Sequence, residues 1–184
     1  MLVYDIEANG LYEEVTDVHC IVAKRLETGE IFRFYDLNDI TIEHRDTDSM
    51  LIKAELDILF EDPEEVTICH NQLGYDIWML RKFYDIDLVS IKGIDKCVDT
   101  FVWSQALYPD RLMPKGCPNV IKMDNGKNKK VGPHGLESWG YRTSKKKPHI
   151  EDWSKFTNDM IIRCEEDVLI NEMTYYMLKE EAKL

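Results

Sequence analysis

MLVYDIEANGL, residues 1–11, sets two carboxylates into a run that otherwise reads as a β-strand, with Val3 and Ile6 among its β-formers. Side chains alternate across a strand, so Asp5 and Glu7 project to the same face, roughly 6.5–7 Å apart along it. Carboxylates at the margin of a core repel each other and are costly to desolvate unless something positive holds them. Hard oxygen ligands of this kind suit Mg²⁺ or Mn²⁺. A D-x-E pair alone is weak evidence in an acidic chain, so the rest of the sequence must supply the other ligands.

At 184 residues with 44% hydrophobic content, the chain fits one domain, residues 1–184, with a core of its own. No apolar stretch approaches the ~20 residues of a membrane span, and no basic segment followed by an apolar one opens the chain. The expectation is a cytoplasmic protein that makes no membrane contact. The five cysteines (Cys20, Cys69, Cys97, Cys117 and Cys164) form no C-x-x-C pair, which points to reduced thiols rather than a disulfide frame or a zinc site. The net charge of −12 is unevenly spread. From Arg111 to Lys147 there are ten Lys/Arg against Asp124 and Glu137 alone, a segment of +8 on a body of −20. A basic strip on an acidic body can hold phosphates while carboxylates elsewhere hold cations; the same lysines also suit a plain solvated loop.

Two β-rich runs, HCIVAKRL (19–26) and EIFRFYD (30–36), flank a Thr28-Gly29 turn signal and predict a hairpin. Residues 48–62 place Leu51, Ile52, Leu56, Leu59 and Phe60 at helical spacing, and Pro63 closes the helix. EVTICH (65–70) reads as a buried strand. Residues 75–84 read as a helix with Ile77, Trp78, Leu80 and Tyr84 on one broad side. CVD (97–99) is a short strand, and Asp99-Thr100 suits the cap of a helix over 101–107. Residues 109–133 hold four prolines and three glycines among lysines, which predicts a basic loop or hairpin insertion. A short helix ending at Gly140 and a last helix from about Asn158 to about Lys179 complete the order βββαβαβαα. That order predicts an α/β fold, a mixed sheet with helices on its faces.

Two more acids stand out. Asp76 opens a helix after a strand, where negative charge and a nearby phosphate are both favoured. Asp167 lies inside the last helix beside Val168, Leu169 and Ile170, so its turn is at least partly buried. Arg163, four residues earlier on the same face, reads as its i,i+4 partner. Asp99 reads as a helix cap, His19 as a satisfied core or sheet residue, and Leu136, Trp139 and Trp153 as packing.

DIEANGL, HNQLGYD, CVDTFVWS, GPHGLESWGYR and CEEDV occur in the order and spacing of the DEDD 3′–5′ exonucleases, which are ribonuclease-H-like. The chain resembles most closely the proofreading domain of podophage family A DNA polymerases. The resemblance spans nearly the whole chain apart from the basic loop and residues 37–50. It implies a five-stranded mixed sheet flanked by helices and two-metal hydrolysis of phosphodiester bonds at single-stranded DNA 3′ ends. It also implies two Mg²⁺ or Mn²⁺ ions. By motif match, Asp5, Glu7 and Asp167 hold the first, while Asp5 bridges to the second and Asp76 acts through its water shell. Leu11, Asn71 and Tyr75 match positions near the terminal nucleotide. Read from the residues alone, Leu11 and Tyr75 equally suit core packing and Asn71 a turn.

One departure matters. The family places a tyrosine four residues before the last aspartate, or a histidine five before it, to orient or deprotonate water. Here those positions are Arg163 and Ile162. Arginine stays protonated and is a poor base, so it would bind phosphate or pair with an acid. Either His134, His149 or a loop tyrosine fills the missing role, or a metal-bound hydroxide acts alone at a lower rate. A catalytically weak exonuclease-fold module that binds nucleic acid or a polymerase, and an oligoribonuclease-like RNA exonuclease, are the alternative readings. The natural-looking start at Met1 favours a separate proofreading subunit partnering a phage DNA polymerase over an excised domain.

Overall fold

The opening run forms β1 (Leu2–Ala8) in a computed structural model that describes residues 1–35, 47–122, 128–145, 147, 148, 150 and 152–184. β2 (Val18–Arg25) and β3 (Ile31–Tyr35) follow it as antiparallel neighbours, the expected hairpin. β4 (Thr67–Cys69) pairs parallel with β1 on its other side, and β5 (Cys97–Asp99) extends the sheet parallel to β4. The sheet order is β3-β2-β1-β4-β5, so the strand carrying Asp5 and Glu7 is central. Its register with β2 is regular as far as Glu7 and slips at Ala8, so the irregularity falls just beyond the second carboxylate.

The helices are α1 (Thr47–Phe60), α2 (Asp76–Tyr84), α3 (Leu88–Lys92), α4 (Thr100–Leu107), α5 (Leu136–Arg142) and α6 (Asn158–Glu181). Alternation along β1 sorts the core into two layers. Leu2, Tyr4 and Ile6 pack with Leu56, Leu59 and Phe60 of α1 and with Ile77 and Leu80 of α2. On the opposite face, Val3 joins Cys20, Val22 and Ile68 against Met160, Cys164 and Val168 of α6. Asp5 and Glu7 share the face of Val3. The long last helix therefore covers the side of the sheet on which both carboxylates project. Among the described residues, no helix is long and apolar enough to cross a membrane.

The basic insertion takes the second of its two expected forms, a small hairpin of β6 (Val120–Lys122) with β7 (Asn128–Lys130). Other expectations are corrected. α5 does not stop at Gly140 but runs through it, because that glycine is a packing site. A Cβ there would meet the Lys145 carbonyl oxygen at 3.0 Å and the Ile170 Cδ1 at 3.4 Å. Trp78 is exposed rather than part of the buried side of α2, and its indole N–H donates to the Leu73 carbonyl at 3.0 Å. α3 and the 3₁₀ turn Ile94–Lys96 carry no periodic signal, being too short to show one. Asp36 of the third expected strand, Asp124, Lys127 and Lys146 of the basic segment, and His149 lie outside the described residues.

Asp99 behaves as the cap that its sequence position suggests, and it does more. Its Oδ1 accepts from the amides of Phe101 (2.9 Å) and Val102 (3.2 Å) at the start of α4. The same carboxylate accepts from Asn71 N (2.9 Å) and Leu73 N (3.0 Å), so it also holds the turn between β4 and α2. Charge-assisted bonds of this kind are individually strong. Asp99→Ala should lower unfolding free energy by about 2–4 kcal/mol in urea titrations. A loss within about 0.5 kcal/mol would show that the turn and the helix hold without it.

Candidate metal centre

Four acids from distant positions meet at the carboxyl-terminal ends of β1 and β4. Oxygens of Asp5, Glu7 and Asp167 lie within 4.8 Å of one another, and so do ligand atoms of Asp5, Cys69 and Asp76. Asp5 belongs to both groups. Each arrives for a local reason: Asp5 and Glu7 by strand alternation, and Asp76 as the first residue of α2. Asp167 belongs to the buried stripe of α6 that includes Cys164, Val168 and Asn171. The four acids singled out in the sequence are thus brought together as two groups that share Asp5.

The electrostatics follow from crowding like charges away from water. Burial, and then the charges of Asp167, Glu7 and Asp76, push the Asp5 carboxyl well above the ordinary range; Lys147 opposes them. Burial, then Asp167, pushes Glu7 up to about 7 against the pull of Arg163 and Lys147. Burial also pushes Asp76 up to about 7, while a hydrogen bond with the Cys69 thiol works the other way. One oxygen of Asp167, Oδ1, is buried and has no hydrogen-bond partner. An orphaned buried carboxylate oxygen on a residue grouped with two further carboxylates is the donor chemistry that a hard divalent cation satisfies. The residues present therefore fit such an ion.

Two cations of the chain itself stand among these acids. Arg163 does not pair with Asp167, as its i,i+4 spacing suggests. Its Nε donates to Glu7 Oε1 at 3.0 Å and its Nη1 to the Pro148 carbonyl at 2.7 Å, with the guanidinium 5.5 Å above the Trp153 ring. Asp167 is met instead by Lys147, whose ammonium lies 2.6 Å from Oδ2. Sequence reasoning missed Lys147 as a member of the site, because the segment before α6 carries no periodicity that would aim it; its only signal was membership of the basic strip. It also missed Cys69, whose burial looked like ordinary core.

Leu11, Asn71 and Tyr75 do come together, lining one open cleft of about 370 Å³ with Tyr12 and Gly74. Leu11 is 75% exposed, so core packing does not account for it. Tyr75 donates its hydroxyl to the Gly10 carbonyl at 2.7 Å, tying the loop after β1 to the start of α2. Asn71 adopts a left-handed backbone at φ +68°. A Cβ at position 74 would lie 2.6 Å from the Asn71 side-chain oxygen, so a side chain there would displace the Asn71 amide from the cleft. His134, one alternative for the water-orienting role, is buried and bonded to Ser104 Oγ (2.9 Å) and the Pro109 carbonyl (3.4 Å). His19 lies in the core, but only one of its ring nitrogens is satisfied: Nε2 bonds to the Trp153 carbonyl at 2.8 Å, while Nδ1 is buried without a hydrogen-bond partner.

No protein-family model matches the chain. Over 156 residues, 83% of its length, it is 30% identical to the DNA-directed DNA polymerase of Enterobacteria phage T3. It is 29% identical to that of Escherichia phage T7 over the same length. Each match takes up 20% of the polymerase, so the chain spans about a fifth of the curated relatives it matches. E. coli exonuclease I, solved in complex with a dT13 oligonucleotide, superposes with a TM-score of 0.55 at 17% identity. That superposition covers 97% of this chain and 40% of the other. The chain shares the fold of exonuclease I. Its mixed five-stranded sheet flanked by helices is the ribonuclease-H-like architecture that the motifs implied. The position four residues before the helical aspartate carries Arg163.

The raised carboxyls make stability depend on pH. Glu7 and Asp76 titrate at about 7 in the folded chain, against ordinary values of 4.5 and 3.8. The folded state thus binds their protons more tightly than the unfolded state does. Their stabilising contribution is complete below about pH 4 and is lost as pH rises through about 7. In EDTA, Tm should fall between about pH 5 and about pH 8, and saturating Mn²⁺ should recover it at the upper end. A metal-free Tm that holds level or rises across that interval would contradict this electrostatic description.

Proposed function

We propose that the chain is a divalent-metal-dependent 3′–5′ exonuclease that hydrolyses phosphodiester bonds at single-stranded DNA 3′ ends. The observation that carries this reading is the convergence of Asp5, Glu7 and Asp167 in one group of ligand atoms and of Asp5 and Asp76 in a second, sharing Asp5. Asp5, Glu7 and Asp167 would hold one Mg²⁺ or Mn²⁺ ion, and Asp5 with Asp76 the other. Such ions supply Lewis-acid charge for the water and for the departing 3′ oxygen.

The chain's own residues do the rest. The exposed Leu11, with Asn71 and Tyr75, forms the cleft for the terminal nucleotide, Leu11 wedging against its base. Arg163 is permanently charged and takes no proton from water. Its bond to Glu7 fixes that carboxylate's direction instead, and its bond to the Pro148 carbonyl ties the segment before α6 to the site. Sequence kinship with phage DNA polymerases supports a proofreading role beside a polymerase, and likeness of fold to an exonuclease solved with dT13 supports a DNA substrate.

One observation favours a second reading, a strand-binding module with little turnover: Glu7 and Asp167 already have protein cations as partners. Incubation with 5′-labelled single-stranded DNA, a 3′-recessed duplex and RNA, with and without Mg²⁺ or Mn²⁺, separates the two. The enzyme reading expects stepwise shortening of DNA from its 3′ end. It also expects a loss of about a thousandfold or more in an Asp5→Ala, Glu7→Ala double variant. Strand binding without shortening in any metal selects the module, and a preference for RNA selects an oligoribonuclease-like enzyme.

A further inference from the structure

The ion pair between Lys147 and Asp167 lies within the carboxylate centre and belongs to neither the DEDD motifs nor any periodic element. The Lys147 side chain is 11% exposed and the Asp167 side chain 5%, so both charges are largely withdrawn from water. Lys147 is also the charge that opposes the upward push on Asp5, and it lowers Glu7 alongside Arg163. One ammonium thus acts on three of the four acids. Its neighbourhood is already cationic. The Lys129 ammonium on β7 is held below its ordinary pKa, first by desolvation and then by the charges of Lys147 and Arg163, although the residue stays exposed at this rim.

Charge balance assigns the lysine a task. Four ionised carboxylates are matched by two dications. Lys147 and Arg163 are then left to match a phosphodiester anion and an attacking hydroxide. Without the dications, the same two side chains are the only cations recorded within 4 Å of the Asp5–Glu7–Asp167 oxygens among the described residues. Arg163 is fixed by its bonds to Glu7 and Pro148 and by its seat over Trp153. Lys147 has the flexible, single-point charge that can change partner.

We propose that Lys147 is the resident counter-ion of this centre and a positioning residue for its substrate. It neutralises Asp167 while the divalent ion is absent, competes with that ion for the carboxylate, and exchanges Asp167 for the scissile phosphate once the ion is seated. The inference rests on the metal-centre reading above.

The test compares Lys147→Met and Lys147→Arg with the unaltered chain, with Lys147→Gln as a second neutral form. Mn²⁺ binding to the DNA-free protein is followed by the electron paramagnetic resonance of free Mn²⁺, and KM for single-stranded DNA is measured at saturating Mn²⁺. Both neutral variants should bind Mn²⁺ about tenfold more tightly, the equivalent of one partly buried ion pair. Both should also show a KM raised by about tenfold, from loss of one charged phosphate contact. Lys147→Arg should stay close to the original on both counts. A side chain that merely supported the fold would not tighten metal binding when removed. Unchanged or weaker Mn²⁺ affinity in the neutral variants overturns the counter-ion role, as does the absence of Mn²⁺ binding in every form. An unchanged KM overturns the exchange onto phosphate. Failure of the unaltered chain to shorten any oligonucleotide would overturn the exonuclease reading while the Mn²⁺ comparison still stands.

Discussion

Mutual repulsion among Asp5, Glu7, Asp76 and Asp167 is the constraint around which the rest of the molecule is arranged. Burial, and after it the charges of neighbouring acids, pushes Asp5 well above the ordinary carboxyl range and Glu7 and Asp76 up to about 7. A fold tolerates such a cluster only if its scaffold is stiff and if positive charge is at hand. Both conditions are met. β1 is the central strand with partners on either side, and α6 lies across the face from which Asp5 and Glu7 project. The Cys164 thiol on α6 bonds to the Asp5 carbonyl at 3.3 Å, locking helix to strand at the site itself.

The cleft lined by Leu11, Asn71 and Tyr75 is built by the same economy of contacts. Asp99 holds the turn carrying Asn71, and the Tyr75 hydroxyl holds Gly10, so the loop bearing Leu11 is anchored to the start of α2. Asp76 follows Tyr75 directly. A nucleotide in that cleft and a cation on Asp76 are therefore positioned by one short stretch of backbone. Shifts in the turn would move substrate and metal ligand together, which keeps the reacting groups aligned.

How much of this was legible in the sequence depended on how local each cause was. Strand alternation alone placed Asp5 and Glu7 on one face, and the cap signature alone identified Asp99. The sheet and the long last helix followed from periodicity. Lys147 was out of reach because its partner is twenty residues away across an irregular segment, and no local rule pairs them. Arg163 was aimed at the wrong acid for a related reason. The i,i+4 rule describes an isolated helix, whereas this helix lies on a strand that offers Glu7 instead. Gly140 looked like a helix stop because close approach to the Lys145 carbonyl is a tertiary fact. Trp78 looked like core because helical spacing does not say which side of a short helix faces outward.

The central claim is that the four carboxylates form a cradle for divalent cations and that Asp5 is its shared member. Calorimetric titration of Mn²⁺ into the metal-free chain near neutral pH tests it most directly. The account predicts about two ions per chain, and Asp5→Ala should abolish both binding events because both groups lose a ligand. Absence of saturable binding, or binding that survives Asp5→Ala unchanged, would contradict it.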